Sequence, residues 1–197
     1  MFNDYGKYYF FGVFLLLLPC KTDKNKPVEV KIETELGNIS IELYVDKAPV
    51  TCKNFIRYIK NNKYDKACFY RVVRMDNQLN NDIKIEVIQG GLGFDVVEAP
   101  YPPIKHETTK ETGILHTDGT ISMARIDPGT ASSEFFICIG NQPELDFGGR
   151  RNPDGQGFAA FGKVVRGMDI VRKIQQMKDE GQMLIKPVKI KSIDLLN

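Results

Sequence analysis

Residues 121–140, with the sequence ISMARIDPGTASSEFFICIG, are the stretch on which the interpretation of the whole chain depends. The stretch begins with the apolar run ISMA and continues through Asp127, Pro128 and Gly129, residues that favour a reverse turn. It ends in EFFICI, an aromatic and β-branched run bounded by Gly140, which predicts a largely buried strand. The pattern alone therefore predicts two strands of one sheet, and a plain core hairpin is the simplest interpretation.

The sequence nearer the N terminus predicts a hairpin and then a helix. Apolar residues alternate with polar ones over 28–32 and 39–43, and Gly37 with Asn38 predicts the turn between these two strands. Pro49 favours the first turn of a helix. The apolar face of that helix consists of Cys52, Phe55, Ile56 and Ile59.

Further elements complete a mainly β domain. Strands are predicted over 69–74, 83–89 and 188–193, residues 94–119 are interpreted as loop, and a second helix begins at Gly167. About eight strands and two helices are expected in total, a number that suits a closed antiparallel barrel capped by two helices. A closed barrel also leaves no strand edge exposed.

The composition excludes several classes of protein. The chain has 197 residues and a formal net charge of only +2, with lysines interleaved among acidic residues, so no nucleic-acid partner is expected. None of its four cysteines has a CxxC spacing, and neither histidine has a recognisable Ser, Cys or Asp partner. We therefore expect no metal, no cofactor and no hydrolase chemistry.

Residues 1–20 predict an export signal. Lys7 precedes an apolar run of about nine residues, which is too short to span a bilayer but suits a signal peptide. Cys20 directly follows this run and resembles the lipidated cysteine of bacterial lipoproteins, although Pro19 stands where a small residue is usual. The chain is thus expected to be a membrane-anchored lipoprotein facing the periplasm or the cell exterior, with residues 21–27 as a tether. Soluble secretion or an uncleaved anchor, with Cys20 incidental, is the alternative.

Several sequence blocks resemble, in the same order, the signature of the cyclophilin family of peptidyl-prolyl isomerases. They are FYRVV at 69–73, IQGG at 88–91, ISMA at 121–124, SEFFI at 133–137, LD at 145–146 and FGKV at 161–164. The resemblance implies one isomerase domain over residues 28–197 with the barrel architecture described above. It also implies a monomer that acts on proline-containing polypeptides and assists protein folding.

The resemblance assigns roles to individual residues. It implies that Arg71 is the catalytic arginine, which donates to the prolyl nitrogen, and that Gln89 holds this arginine and the substrate backbone. It further implies that Phe136 forms the floor of a proline pocket, that Leu145 forms one wall, and that Ala124 lets the substrate backbone approach closely.

Other positions depart from the family pattern. In the expected substrate site, Val87 replaces a methionine, Phe158 replaces a histidine or tyrosine, and Glu134 replaces a glutamine. The family's pocket phenylalanine falls on Glu86, and its tryptophan, which helps to bind cyclosporin, falls on Glu144. We therefore expect activity that persists at reduced turnover, with weak affinity for cyclosporin.

Two features suggest a modified site. Residues 75–86 form an insertion that ordinary cyclophilins largely lack, and its pattern predicts a hairpin with a polar tip overhanging the site. Arg125 stands at the family's asparagine, and an exposed pair with Glu134 that has little effect is the simpler interpretation. A pair across the groove that polarises the site beyond the proline is the alternative. A protein of the same fold that binds proline peptides as a chaperone, with weak or absent catalysis, is the alternative function.

Overall fold

The computed structural model describes residues 1, 27–93 and 99–196 of the chain. The predicted signal peptide beyond Met1, the lipidation site Cys20 and the tether before Pro27 lie outside the described residues. Among the helices within the described ranges, none has the length and apolar character needed to cross a membrane. The strands are β1 Val28–Thr34, β2 Gly37–Leu43, β3 Cys68–Val73, β4 Val87–Gly91, β5 Thr120–Met123, β6 Phe135–Cys138, β7 Ala159–Arg166, β8 Asp179–Glu180 and β9 Met183–Leu195.

Eight of these strands form a closed antiparallel barrel, which confirms the predicted fold class. The order around the barrel is β1-β2-β7-β5-β6-β4-β3-β9, and β9 pairs back with β1. The two-residue β8 pairs with β9. Closure leaves the eight main strands with neighbours on both sides, so their backbone groups are paired within the sheet.

The helices agree with the prediction in two cases and add a third. The predicted helices are α1 Pro49–Lys60 and α3 Met168–Gln175. The additional helix, α2 Thr109–Thr112, lies in the region that was predicted to be loop. It is a single turn, too short for a periodic apolar pattern, and a capping box between Thr108 and Glu111 fixes its start.

The barrel interior is filled with aromatic and branched side chains. Phe55 from α1 contacts Phe135 edge to face, with ring centroids 5.5 Å apart, and also lies against Phe161 at 5.2 Å. All three rings are fully buried, and each contributes about 2 kcal/mol of hydrophobic stabilisation. Phe136, the neighbour of Phe135, belongs instead to a second, smaller apolar cluster, because successive side chains of a strand point to opposite faces.

The first hairpin turns two residues earlier than predicted. Thr34 pairs with Gly37, so the loop consists of Glu35 and Leu36, and Asn38 already lies in β2. The Thr34 hydroxyl donates to the Gly37 carbonyl (2.7 Å) and accepts from the Leu36 amide (3.1 Å). These side-chain hydrogen bonds of Thr34 favour the earlier turn.

The predicted hairpin within residues 75–86 is wrong. This insertion folds as a series of turns, and β4 begins only at Val87. The buried Gln78 side chain donates to the carbonyls of Arg74 (2.7 Å) and Ile85 (2.8 Å) and accepts from the Ile85 amide (3.2 Å). One glutamine thus satisfies backbone groups that a strand ladder would otherwise have to pair.

Candidate active site

Strand register places three of the predicted site residues side by side. Arg71 on β3 pairs with Gln89 on β4, and Gln89 pairs in turn with Phe136 on β6. Directly opposed residues on neighbouring strands share a face of the sheet. The motifs FYRVV, IQGG and SEFFI therefore converge because their strands are adjacent in the barrel.

These residues line a cavity of about 270 Å³. Seven predicted site residues contribute to its wall, namely Arg71, Val87, Gln89, Ala124, Phe136, Leu145 and Phe158. The remaining lining residues are Ile85, Arg125, Arg151 and Asn152. Six of the eleven lining residues are apolar and five are polar or charged, so the cavity combines an apolar surface with several hydrogen-bonding groups.

The Arg71 guanidinium is held by two glutamines. Its Nη1 donates to Gln89 Oε1 (2.8 Å), while its Nε (3.1 Å) and Nη2 (2.5 Å) both donate to Gln182 Oε1. Burial lowers the pKa of Arg71, and the neighbouring Tyr70 opposes that shift. Neither glutamine carries a charge, so the guanidinium keeps its full positive charge at the cavity wall.

A chain of hydrogen bonds fixes the orientation of Gln89. Its Nε2 donates to the Tyr70 hydroxyl (2.8 Å), which in turn donates to Glu134 Oε2 (2.5 Å). Burial, followed by the charge of Glu134, raises the pKa of Tyr70, which therefore stays protonated. With its amide nitrogen held in this way, Gln89 presents its oxygen to Arg71.

Glu134, which is predicted to contact the substrate, lies beside the cavity that contains Arg71 rather than in its wall. It lines an adjoining cavity of about 280 Å³ that shares Gln89, Ala124 and Arg125 with the first. Besides Tyr70, its carboxylate accepts from the amides of Leu92 (2.9 Å) and Gly93 (3.3 Å).

The predicted pair between Arg125 and Glu134 is wrong. Arg125 makes two hydrogen bonds to Asp154 (2.7 and 2.9 Å) and donates to the Gly157 carbonyl, and its side chain is only 1% exposed. The loop before β7 carries Asp154 to this position, whereas Glu134 is already occupied by Tyr70 and backbone amides. The cation also lies 5.2 Å from the centroid of the Phe158 ring.

The cavity floor is an aromatic stack. Phe136 meets Phe158 edge to face at 5.2 Å, and the ring of His116 is stacked on Phe136 at 5.9 Å. His116 is fixed by Asp146 Oδ1, 2.7 Å from its Nδ1, and by Ser122 Oγ, 3.0 Å from its Nε2. The expectation that neither histidine has a Ser or Asp partner is therefore wrong for His116, whose two partners hold its ring against the cavity floor.

Ile85, rather than Glu86, lies at the cavity. Ile85, Val87 and Gln89 all line it, because residues two apart along an extended chain share a face. Glu86 lies on the opposite face, where it accepts from Gln175 Nε2 (3.2 Å). The resemblance places Glu86 at the family's pocket phenylalanine, and the alternation of Ile83 and Ile85 was the signal that could have identified Ile85 as the lining residue.

Glu144 also lies apart from the cavity lining. Its carboxylate pairs with Arg150 (3.0 Å) near the surface. Arg151, Asn152 and Gln182 were missed because they lie on loops, where no periodic pattern reports which way a side chain faces. Within residues 27–93 and 99–196, no group of three or more His, Cys, Asp or Glu side chains could hold a metal ion.

Comparisons with known proteins identify the family to which the chain belongs. Residues 29–195 match the family described as cyclophilin type peptidyl-prolyl cis-trans isomerase/CLD. A peptidyl-prolyl cis-trans isomerase of Acinetobacter baylyi is 41% identical over 163 residues, which cover 81% of this chain and 77% of that protein. Peptidyl-prolyl cis-trans isomerase B of Escherichia coli is 37% identical over 150 residues, which cover 74% of this chain and 83% of that protein.

Solved structures show the same fold. A cyclophilin type peptidyl-prolyl cis-trans isomerase from Cryptosporidium parvum superposes with a TM-score of 0.71 at 23% identity, covering 87% of this chain and 99% of that one. A second crystal structure of it, determined in the presence of the dipeptide Ala-Pro, gives a TM-score of 0.70 at 22% identity. From the family match and the identity to bacterial relatives, the chain belongs to the cyclophilin-type peptidyl-prolyl cis-trans isomerase family and is an enzyme of that class.

Proposed function

We propose that this isomerase accelerates X-Pro rotation by hydrogen-bond donation from Arg71 to the prolyl nitrogen. The observation that carries the proposal is the position of the Arg71 guanidinium, which is held by Gln89 in the wall of the cavity that Phe136 also lines. Rotation about X-Pro bonds takes tens to hundreds of seconds without a catalyst, because the barrier is about 20 kcal/mol.

Catalysis of this rotation needs only a hydrogen-bond donor near the prolyl nitrogen and a pocket from which the bound substrate excludes water. In the planar amide the nitrogen lone pair is delocalised, whereas in the twisted transition state it is localised on nitrogen and can accept a hydrogen bond. A guanidinium that donates to this lone pair stabilises the transition state more than the ground state, which is the condition for catalysis. A bound substrate that excludes water from the cavity would strengthen that interaction, and the two glutamines fix the donor in advance.

The other cavity residues bind the substrate in this proposal. Phe136, Leu145, Val87 and Phe158 surround the proline ring, and the small side chain of Ala124 leaves room for the peptide backbone. The crystal structure of the Cryptosporidium protein obtained in the presence of Ala-Pro supports the choice of proline-containing polypeptides as ligands. Unfolded or partly folded client proteins would supply them, which would make the enzyme, acting as a monomer, an assistant in protein folding.

Exchange spectroscopy by NMR on a short Ala-Pro peptide tests the mechanism. We expect the protein to accelerate cis-trans exchange and Arg71→Ala to reduce the acceleration by about 10² to 10³, the usual loss when one transition-state donor is removed. Arg166→Ala is the matched control, because Arg166 is exposed and pairs with Glu29 at 3.6 Å on β1. Wild-type levels of exchange with Arg71→Ala would overturn the assignment.

The same experiment addresses the alternative of a chaperone without fast catalysis. Peptide signals that shift on addition of the protein, without faster exchange, would favour binding alone. The acidic residues that suggested this alternative, Glu86 and Glu144, do not line the cavity.

We also propose that residues 1–20 direct export, that Cys20 carries a lipid and that residues 21–27 tether the domain of residues 28–197 to a membrane. The support is the apolar run before Cys20 and the polar, lysine-rich segment after it. Expression in a bacterial host with labelled fatty acid should give a labelled protein in the membrane fraction. Cys20→Ala should abolish the label, and an unchanged label would refute lipidation at this residue.

A further inference from the structure

A second arginine faces the candidate catalytic cavity. Arg151, in the loop before β7, contributes to the same wall as Arg71. Its Nη1 donates to the Ile83 carbonyl (2.5 Å), and no carboxylate in the described part of the chain lies within ion-pair distance of its guanidinium. Its remaining donors are therefore available to a ligand.

The cavity is electrostatically positive. Burial lowers the pKa of Arg151, and the charge of Arg71 lowers it further, so the two guanidiniums repel each other. Arg125 is neutralised by Asp154, and the described cavity lining contains no acidic residue. An anion that enters this cavity would meet two cations at once.

Two other largely buried arginines have carboxylate partners, whereas among the described residues Arg71, like Arg151, has none and is held by two glutamines. The nearly buried Arg125 pairs with Asp154, and the largely buried Arg74 pairs with Asp179. Partial burial of an unpaired cation costs free energy, because the charge loses water without gaining a counter-ion. Arg151 bears this cost in the wall of a ligand-sized cavity, which indicates that the ligand supplies its partner.

We propose that Arg151 selects substrates with a carboxylate side chain next to the proline. The inference rests on the proposed function, in which the proline ring lies on Phe136. A residue flanking the proline then lies near the cavity wall, where an Asp or Glu side chain can accept charge-assisted hydrogen bonds from Arg151. The preferred substrates are acidic X-Pro segments, rather than proline peptides in general.

Matched peptide pairs test the proposal. Exchange is measured for Ala-Glu-Pro-Phe against Ala-Gln-Pro-Phe, and for Ala-Ala-Pro-Glu against Ala-Ala-Pro-Gln, at low and at high salt. We expect kcat/KM to favour Glu over Gln by about three- to tenfold in at least one pair at low salt. High salt should reduce this ratio, because screening weakens interactions of partly exposed charges.

Variants assign the preference to one side chain. Arg151→Gln should bring the Glu-to-Gln ratio close to one, whereas Arg151→Lys should keep part of it. Arg150→Gln is the matched control, because the adjacent Arg150 is exposed, pairs with Glu144 and does not line the cavity. A ratio close to one in the wild type, or the same ratio in Arg151→Gln, would overturn the proposal.

Failure of this inference is distinguishable from failure of the proposed function. If no peptide exchanges faster, the affinities of the four peptides are compared by chemical-shift titration instead. A Glu preference in affinity that depends on Arg151 would support the specificity site without catalysis. Accelerated exchange without any Glu preference would support catalysis and reject the specificity site.

Discussion

Gln182 connects Arg71 to the insertion at residues 75–86. Its Oε1 accepts from Nε and Nη2 of Arg71, and its Nε2 donates to the Asn77 carbonyl (3.1 Å). The Gln182 backbone amide also donates to Asp179 Oδ2 (3.0 Å). One side chain therefore determines where the guanidinium lies and depends in turn on the fold of the insertion.

Removing the Gln182 side chain should lower catalysis without weakening substrate binding. Gln182 has a φ of 75°, so Gln182→Gly removes the side chain at a position where glycine is unstrained. We expect kcat to fall about tenfold with KM nearly unchanged, because the donor loses its orientation while the apolar side chains that line the cavity remain. The Arg71 Nε–H proton signal should also shift and exchange faster with water.

The exposed Gln176 at the end of α3 provides the matched control for this experiment. Gln176→Gly should leave kcat and the Arg71 signal as in the wild type. A loss of kcat in Gln182→Gly with an unaltered Arg71 signal would argue against a positioning role.

Because of Asp179, the free energy of unfolding should fall at low pH. Burial alone would raise the pKa of its carboxyl, but hydrogen bonds from Arg74, Asn77 and the Gln182 amide outweigh burial and lower it. A carboxyl whose pKa is lower in the folded state stabilises the fold above its unfolded-state pKa of about 3.9, and this contribution is lost as the pH falls through the folded pKa.

We therefore expect Asp179→Asn to reduce the free energy of unfolding by about 3 kcal/mol at pH 7, the usual cost of breaking a buried ion pair. The difference from the wild type should shrink as the pH falls below about 4. Urea unfolding between pH 7 and pH 2.5 measures both effects. A difference that stayed constant with pH would show that the charge of Asp179 is not responsible.

Glu107 should stabilise α1 from a distant loop. The residue before this helix, Ala48, has no capping side chain, and the buried Glu107 carboxylate instead accepts from the amides of Val50 (3.1 Å) and Thr51 (2.8 Å). Glu107→Ala should lower the free energy of unfolding by about 2 kcal/mol, because it removes a helix cap and a favourable charge at the helix N terminus. In urea unfolding, Glu35→Ala in the exposed hairpin turn is the control, and equal losses in the two variants would contradict the prediction.

The thiols of Cys52 and Cys138, which are buried, and of Cys68, which is half-buried, should react slowly in the native protein. Burial, with a smaller effect of Glu107, raises the pKa of Cys52 to about 12, and burial raises those of Cys68 and Cys138. At pH 8 Cys52 should react with a disulfide reagent about a thousandfold more slowly than an exposed thiol, because only the thiolate reacts. A Cys20→Ser variant isolates these three residues, and rapid labelling of Cys52 before unfolding would refute the prediction.

The hydrogen-bond network around Arg71 could be predicted from the sequence only in part. The match of sequence blocks identified Arg71, Gln89 and Phe136, and strand pairing brings these residues together. Their polar partners were not predictable, since Arg71 and Gln182 are 111 positions apart and meet only when the barrel closes. The Arg125 pair was predicted wrongly for the same reason, because its partner Asp154 comes from a loop.

The sequence by itself determined the barrel and the motifs that line its cavity. Alternating side chains and aromatic runs define which face of each strand is buried, and that information is local. Only the tertiary structure decided that Ile85 rather than Glu86 reaches the cavity, that Glu134 orients Gln89 through Tyr70, and that Arg151 lacks a carboxylate partner among the described residues. These contacts join loops and strands distant in sequence, and their geometry depends on how the closed chain satisfies its buried polar groups.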